Sequence, residues 1–170
     1  RLGDSPVEAT AADEVQLGFE GMLHRVLRLE THDEAPEKMQ NLVVLGSESE
    51  IEAWKPSLKM AKPLLPEGFR LRRIVSGKNT LLVIEGADAR GVLYGSYALL
   101  RMIAEEHSLA ALDVTEAPSA PIRWTNEWDN PNGSIERGYA GRSIFFDHGG
   151  VRQDRSRVPE YGRLLASVGI

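Results

Sequence analysis

At 170 residues, with 42% apolar and 26% charged side chains, the chain is long enough to bury a core and has the balance of a folded, water-facing protein. A net charge of -5 and a pI near 5.4 give no basic face for nucleic acid. No apolar run approaches the ~20 residues of a membrane span, and zero cysteines exclude disulfides, thiolate metal ligands and cysteine nucleophiles while leaving the compartment open.

Arg1 in place of methionine, and Ile170 arriving straight after a helix stop, predict a piece of a longer protein. Residues 1–9 read as a tail or a truncated strand. Helical spacing runs from Thr10, weakly capped with Asp13, and aligns Val15, Phe19, Met22, Leu23 and Val26. Gly18 and Gly21 each lower helix preference by ~1 kcal/mol, a loss that close approach of a sheet would offset. Val26 to Leu29 is open between helix and extended chain. The charged stretch Thr31 to Lys38, with Pro36, reads as a loop.

Asn41 to Leu45 is a short buried-strand pattern closed by Gly46. Ser47 with Glu50 forms a capping box for a helix carrying Ile51, Trp54, Leu58 and Met60, which Pro56 splits or kinks. Phe69 to Val75 alternates as a surface strand. Gly77-Lys78-Asn79 is its turn, and Leu81 to Ile84 returns, completing the clearest hairpin in the chain. The strongest helix spans Ala89 to Glu106, with Leu93, Tyr97, Leu100 and Ala104 on one stripe and Val92, Leu99 and Ile103 widening it. Leu112 to Thr115 is a further short strand.

Ala117-Pro118-Ser119-Ala120-Pro121 is a linker, extended by its prolines. Ile122 to Trp124 then reads as a strand opening into a long polar, glycine-rich loop, as strands do at a binding or catalytic site. Val158 to Val168 is an amphipathic helix with Pro159 in its first turn and Gly169 as its stop. The order predicts an α+β domain over 1–117, a small sheet layered with helices on one face; a linker over 118–121; and one β-loop-α unit over 122–170. A lone unit leaves its strand uncovered, which points to the start of a truncated (β/α)8 barrel.

The chemistry concentrates in Trp128-Asp129-Asn130. A tryptophan offers a flat apolar face for the C–H side of a sugar, and the polar neighbours can take hydrogen bonds from vicinal hydroxyls. The competing reading has Trp128 capping a core while Asp129 or Asn130 satisfies a turn. Arg137 and Arg142 could bind a carboxylate or brace loop carboxylates such as Glu136. His24, His32 and His107 sit among charges as surface residues, and His148 as a loop residue. No motif calls for a metal or a cofactor.

Asn126 to Asn130, followed by Gly133 to Phe145, closely resembles the start of the catalytic barrel in the microbial α-glucuronidases of glycoside hydrolase family 67. Tyr161 to Ile170 is similar to that family's first barrel helix. Arg90-Gly91-Val92-Leu93-Tyr94-Gly95 resembles the helix start of its N-terminal domain, a type shared with β-hexosaminidases. The resemblance implies an inverting hydrolase that removes α-1,2-linked (4-O-methyl-)glucuronic acid from xylo-oligosaccharides. Its catalytic acid and base, and the basic residues for the uronate, are expected beyond Ile170. On the matching positions it implies a sugar-binding role for Trp128, with Asp129, Asn130 and Arg142 as pocket or loop-bracing residues, and no metal or cofactor. The family pattern has histidine where this chain has Glu127, so no contact is carried to that position. The alternatives are a non-catalytic carbohydrate-binding or structural module, and part of a related barrel glycosidase such as a β-hexosaminidase. A glucuronate-bearing xylo-oligosaccharide is the implied partner of the full-length protein; dimerisation and localisation stay open.

Overall fold

The computed structural model describes residues 1–31 and 41–170, which divide into two compact units, Arg1–Ser119 and Ala120–Ile170. Most of the loop expected over Thr31 to Lys38, and His32 with it, lies outside the described residues.

In the first unit, helix α1 spans Pro6–Leu23 and begins four residues before Thr10. Ser5 is its N-cap: Ser5 Oγ accepts the Glu8 N–H at 3.1 Å, and the Ser5 N–H donates to Glu8 Oε2 at 3.2 Å. Pro6 fits the first helical position because its missing N–H is an orphan there anyway. The Ser-x-x-Glu box thus overrides the reading of residues 1–9 as tail or strand. Val15 and Phe19 are buried as their spacing predicts, whereas Met22, Leu23 and Val26 are exposed. Gly18 lets a helix approach, not a sheet: a Cβ there would lie 2.4 Å from Leu100 Cδ2.

Strand β1 (Leu42–Ser47) leads to α2 (Glu48–Trp54), and Pro56 ends α2 and starts a separate 3-10 turn, Pro56–Leu58. Strands β2 (Phe69–Ser76) and β3 (Asn79–Gly86) form the expected hairpin. Ser76 pairs with Asn79 across a two-residue turn that needs positive φ at Gly77 (61°). Helix α3 spans Ala89–Ala104, and β4 spans Asp113–Glu116. The sheet order is β1-β3-β2-β4, with β1 parallel to β3 and the other pairs antiparallel. This is a small mixed sheet with helices, an α+β arrangement.

Two sequence expectations change. β2 is an interior strand, paired on both sides, and not a surface one. Its arginines misled the reading because they are neutralised inside: Arg70 and Arg72 both reach Glu85 Oε2, at 3.0 and 2.9 Å. Helices also cover both faces of the sheet. Leu45, Phe69, Leu71 and Ile84 meet α1 and α3, while Val44, Leu81 and Val83 on the other face meet Ile51, Trp54 and Leu58.

The buried seam of α3 is Gly91, Val92, Gly95, Ser96 and Leu99, so the Leu93–Tyr97–Leu100 stripe flanks the core instead of forming its centre. Gly91 permits contact with backbone: a Cβ there would sit 2.2 Å from the Gly68 carbonyl oxygen. Asp88 caps the helix by accepting the Gly91 N–H at 2.9 Å, and its other oxygen takes the Glu67 N–H at 2.9 Å.

In the second unit, the strand expected over Ile122 to Trp124 is absent from the described structure: residues 122–128 have no ladder partner. A strand is defined by hydrogen bonds to a neighbour, and none runs beside this stretch within the unit. A short hairpin appears instead between β5 (Phe146–Asp147) and β6 (Gly150–Val151), turned by His148 (φ 49°) and Gly149 (φ 86°). Helix α4 spans Arg157–Ser167, as its amphipathic spacing predicts, and none of its residues is fully buried.

Candidate functional site

The second unit is built around a closed polar loop. Backbone bridges join Asp129 to Ile135 and Ser134 to Arg142, so the chain from 129 to 142 folds back on itself twice. Asn130 is its hub. Its backbone N–H donates to the Ser134 carbonyl at 2.8 Å, and its side-chain amide donates to Ser134 Oγ at 3.1 Å and to the Glu136 carbonyl at 2.8 Å. The Gly133 N–H closes the turn onto the Asn130 carbonyl at 2.9 Å, with Gly133 at φ 86°.

Ser143 forms a second hub that the sequence reading missed. It is 1% exposed, its Oγ accepts the N–H groups of Phe145 and Phe146 at 2.9 Å each, and its own N–H reaches the Gly133 carbonyl at 2.9 Å. A serine ahead of two aromatic residues is a local turn signal that could have found it.

The four predicted site residues fare differently. Trp128 is 58% exposed, while its carbonyl takes the Glu136 N–H at 2.8 Å. Asp129 is half-buried, and its Oδ1 is covered without a hydrogen-bond donor among the described residues. Asn130 braces the loop through its side chain, as the turn reading anticipated. Arg142 is tied to Ser134 through its backbone and keeps an exposed side chain. The loop therefore brings the backbones of Trp128, Asp129, Asn130 and Arg142 together.

Glu136 is engaged by a tyrosine: the Tyr139 hydroxyl donates to it, and this bond to a carboxylate raises the Tyr139 pKa. Tyr161 on α4 uses both ends. Its ring meets Phe145 edge-on at 6.0 Å, and its hydroxyl donates to Glu127 Oε1. That bond raises the Tyr161 pKa. His148 sits exposed at the hairpin turn, and His24 and His107 are exposed too. Among the described residues no group of three or more His, Asp or Glu side chains could hold a metal ion.

The site is thus an exposed indole on a loop braced by polar side chains, and known proteins match the chain along nearly its whole length. Residues 1–99 match the family described as "Glycosyl hydrolase family 67 N-terminus", and residues 102–170 match "Glycosyl hydrolase family 67 middle domain". The chain belongs to glycosyl hydrolase family 67. Similar proteins include a "Probable alpha-glucuronidase A" of Aspergillus terreus, 39% identical over 98% of this chain and 19% of the relative, and one of Aspergillus oryzae, 37% identical over the same shares. The protein of that name in Aspergillus fumigatus is 51% identical over 61% of this chain and 12% of its own length. The chain thus spans about a fifth of the fungal relatives that match along nearly all of it.

Proposed function

We propose that this chain is the N-terminal domain (1–117), linker (118–121) and first β-loop-α unit (122–170) of a (β/α)8-barrel α-glucuronidase. The N-terminal domain is of the type found in β-hexosaminidases. The observation that carries the reading is the ordered pair of family 67 matches along one chain, together with relatives named as probable alpha-glucuronidases. The parent enzyme hydrolyses α-1,2-linked (4-O-methyl-)glucuronic acid from xylo-oligosaccharides with inversion. Inversion needs a general acid and a carboxylate base set ~6.5–9.5 Å apart, so that a water fits between base and sugar. Both belong to later barrel strands of the longer parent, and this chain alone is inactive.

In this reading the loop 129–142 presents Trp128 as an apolar wall of the sugar pocket. Asp129, Asn130 and Arg142 stand at the pocket edge and keep the loop in shape. The test is release of 4-O-methyl-glucuronate from aldouronic acids by the full-length enzyme, with the product anomer followed by NMR. The β-anomer should appear first. A folded full-length protein that releases nothing would remove the assignment, and an α-anomer formed first would remove inversion. Trp128→Ala should lower kcat/KM at least tenfold (about 1.4 kcal/mol) with the melting temperature unchanged.

A further inference from the structure

Residues 123 to 127 approach α4 with one side only. Arg123 Nε donates to the Gly169 carbonyl just past the end of α4, and Thr125 and Glu127 both hydrogen-bond the Tyr161 hydroxyl. These are positions i, i+2 and i+4, the spacing of side chains that share one face of an extended chain. The other face carries Ile122, Trp124, Asn126 and Trp128, all exposed: 77% for Ile122, 76% for Trp124 and 58% for Trp128. Asn130, meanwhile, is consumed by the loop.

We propose that Asn126 is the polar sugar-binding residue of this wall, set between the indoles of Trp124 and Trp128, and that Tyr161 is a positioning residue which holds Glu127 on the helix side so that this face stays open. The inference rests on the sugar-pocket reading of Trp128. Same-face neighbours in an extended chain stand about 6.7 Å apart, so the Asn126 amide lies beside a pyranose stacked on Trp128. An amide supplies both donors and an acceptor, which suits hydroxyls that are themselves both. Glu127, by contrast, is drawn toward α4, where its Oε1 accepts from the Tyr161 hydroxyl. That arrangement draws the glutamate at position 127 away from the proposed sugar face.

The experiment uses the full-length parent and a glucuronate-bearing xylo-oligosaccharide, with Kd from calorimetry measured beside release of the uronic acid. Asn126→Ala should weaken Kd about tenfold with an unchanged melting temperature. Thr125→Val, one residue away but on the α4 face, should leave Kd within about twofold and lower the melting temperature. Tyr161→Phe frees Glu127 and should weaken Kd about threefold or more, whereas Tyr161→Phe combined with Glu127→Gln should recover it. An unchanged Kd for Asn126→Ala overturns the inference, as does equal weakening by Thr125→Val, and failure of the double variant to recover removes the role of Tyr161. Binding without release by the wild-type enzyme would overturn the α-glucuronidase assignment and leave the face assignment standing; neither binding nor release overturns both.

Discussion

Replacing Glu85 with Gln tests the charge cluster buried between the sheet and the segment that follows α2. Glu85 is 2% exposed, and its Oε2 takes Arg70 Nη1 at 3.0 Å and Arg72 Nη2 at 2.9 Å. The same guanidiniums reach on to the Lys62 carbonyl at 2.8 Å and the Leu58 carbonyl at 3.0 Å, fastening that segment onto the strands. Glu48 stands 3.8 Å from Arg70 but is already committed to the Leu64 N–H, at 3.0 and 3.1 Å. Removing the Glu85 charge leaves two arginine side chains, 4% and 11% exposed, without their main counter-charge.

Breaking a buried pair costs about 3–5 kcal/mol, because the remaining charge stays desolvated. Glutamine keeps one acceptor, which places the expected loss near 3 kcal/mol. With a urea slope of about 2 kcal/mol/M, the midpoint should fall by roughly 1.5 M. Trp54 lies buried on the same face of the sheet and reports the transition by fluorescence once Trp124 and Trp128 are replaced by Phe. Replacing Arg70, Arg72 and Glu85 together by apolar residues of similar volume should recover most of the loss, since nothing charged is then left buried. A Glu85→Gln midpoint within about 0.3 M of the wild type would refute the reasoning.

The glycines offer a paired test of stability by thermal melting. Gly91→Ala pushes a methyl onto the Gly68 carbonyl and should cost at least 1–3 kcal/mol, whereas Gly21→Ala, with open space around it in α1, should stabilise by about 0.5–1 kcal/mol. A stabilising Gly91→Ala would contradict the close approach of α3. Burial, followed by its hydrogen bond to Glu50, raises the Glu8 pKa. The folded state therefore holds its proton more tightly than the unfolded chain, and the stability this adds is present below the ordinary glutamate pKa and is lost as pH rises through the raised value. Glu8→Gln keeps a capping side chain and should flatten that decline in urea titrations across pH; an unaltered slope would remove the pair as its cause. Absorbance titration should show the Tyr161 phenol ionising at lower pH after Glu127→Gln, because the bond raising its pKa is weakened; no change would count against the Tyr161–Glu127 contact.

The sequence alone determined the elements whose signals are local. The split of α2 at Pro56, the hairpin turn at Gly77, the capping of α3 and the amphipathic spacing of α4 depend on dihedral preferences and hydrogen bonds within a few residues, and all are legible in the chain. The start of α1 was legible as well, in Ser5-Pro6-Val7-Glu8, once the capping box is set against the weaker Thr10 signal. The polar loop after Trp124 was likewise recognisable from its residues, and so was the family resemblance.

Tertiary structure decided what depends on partners distant in sequence. Arg70 and Arg72 look solvent-facing until Glu85, across the hairpin, neutralises them and lets β2 lie inside the sheet. Ile122 to Trp124 has strand-forming residues, yet a strand requires a neighbour that no local signal supplies. The contacts around Trp128 were hidden for the same reason. Adjacent polar residues look equivalent in sequence, but contact with Tyr161 on α4 turns Thr125 and Glu127 one way and leaves Asn126 the other. Local chemistry sets what each segment can become, and packing against distant residues selects which side it shows.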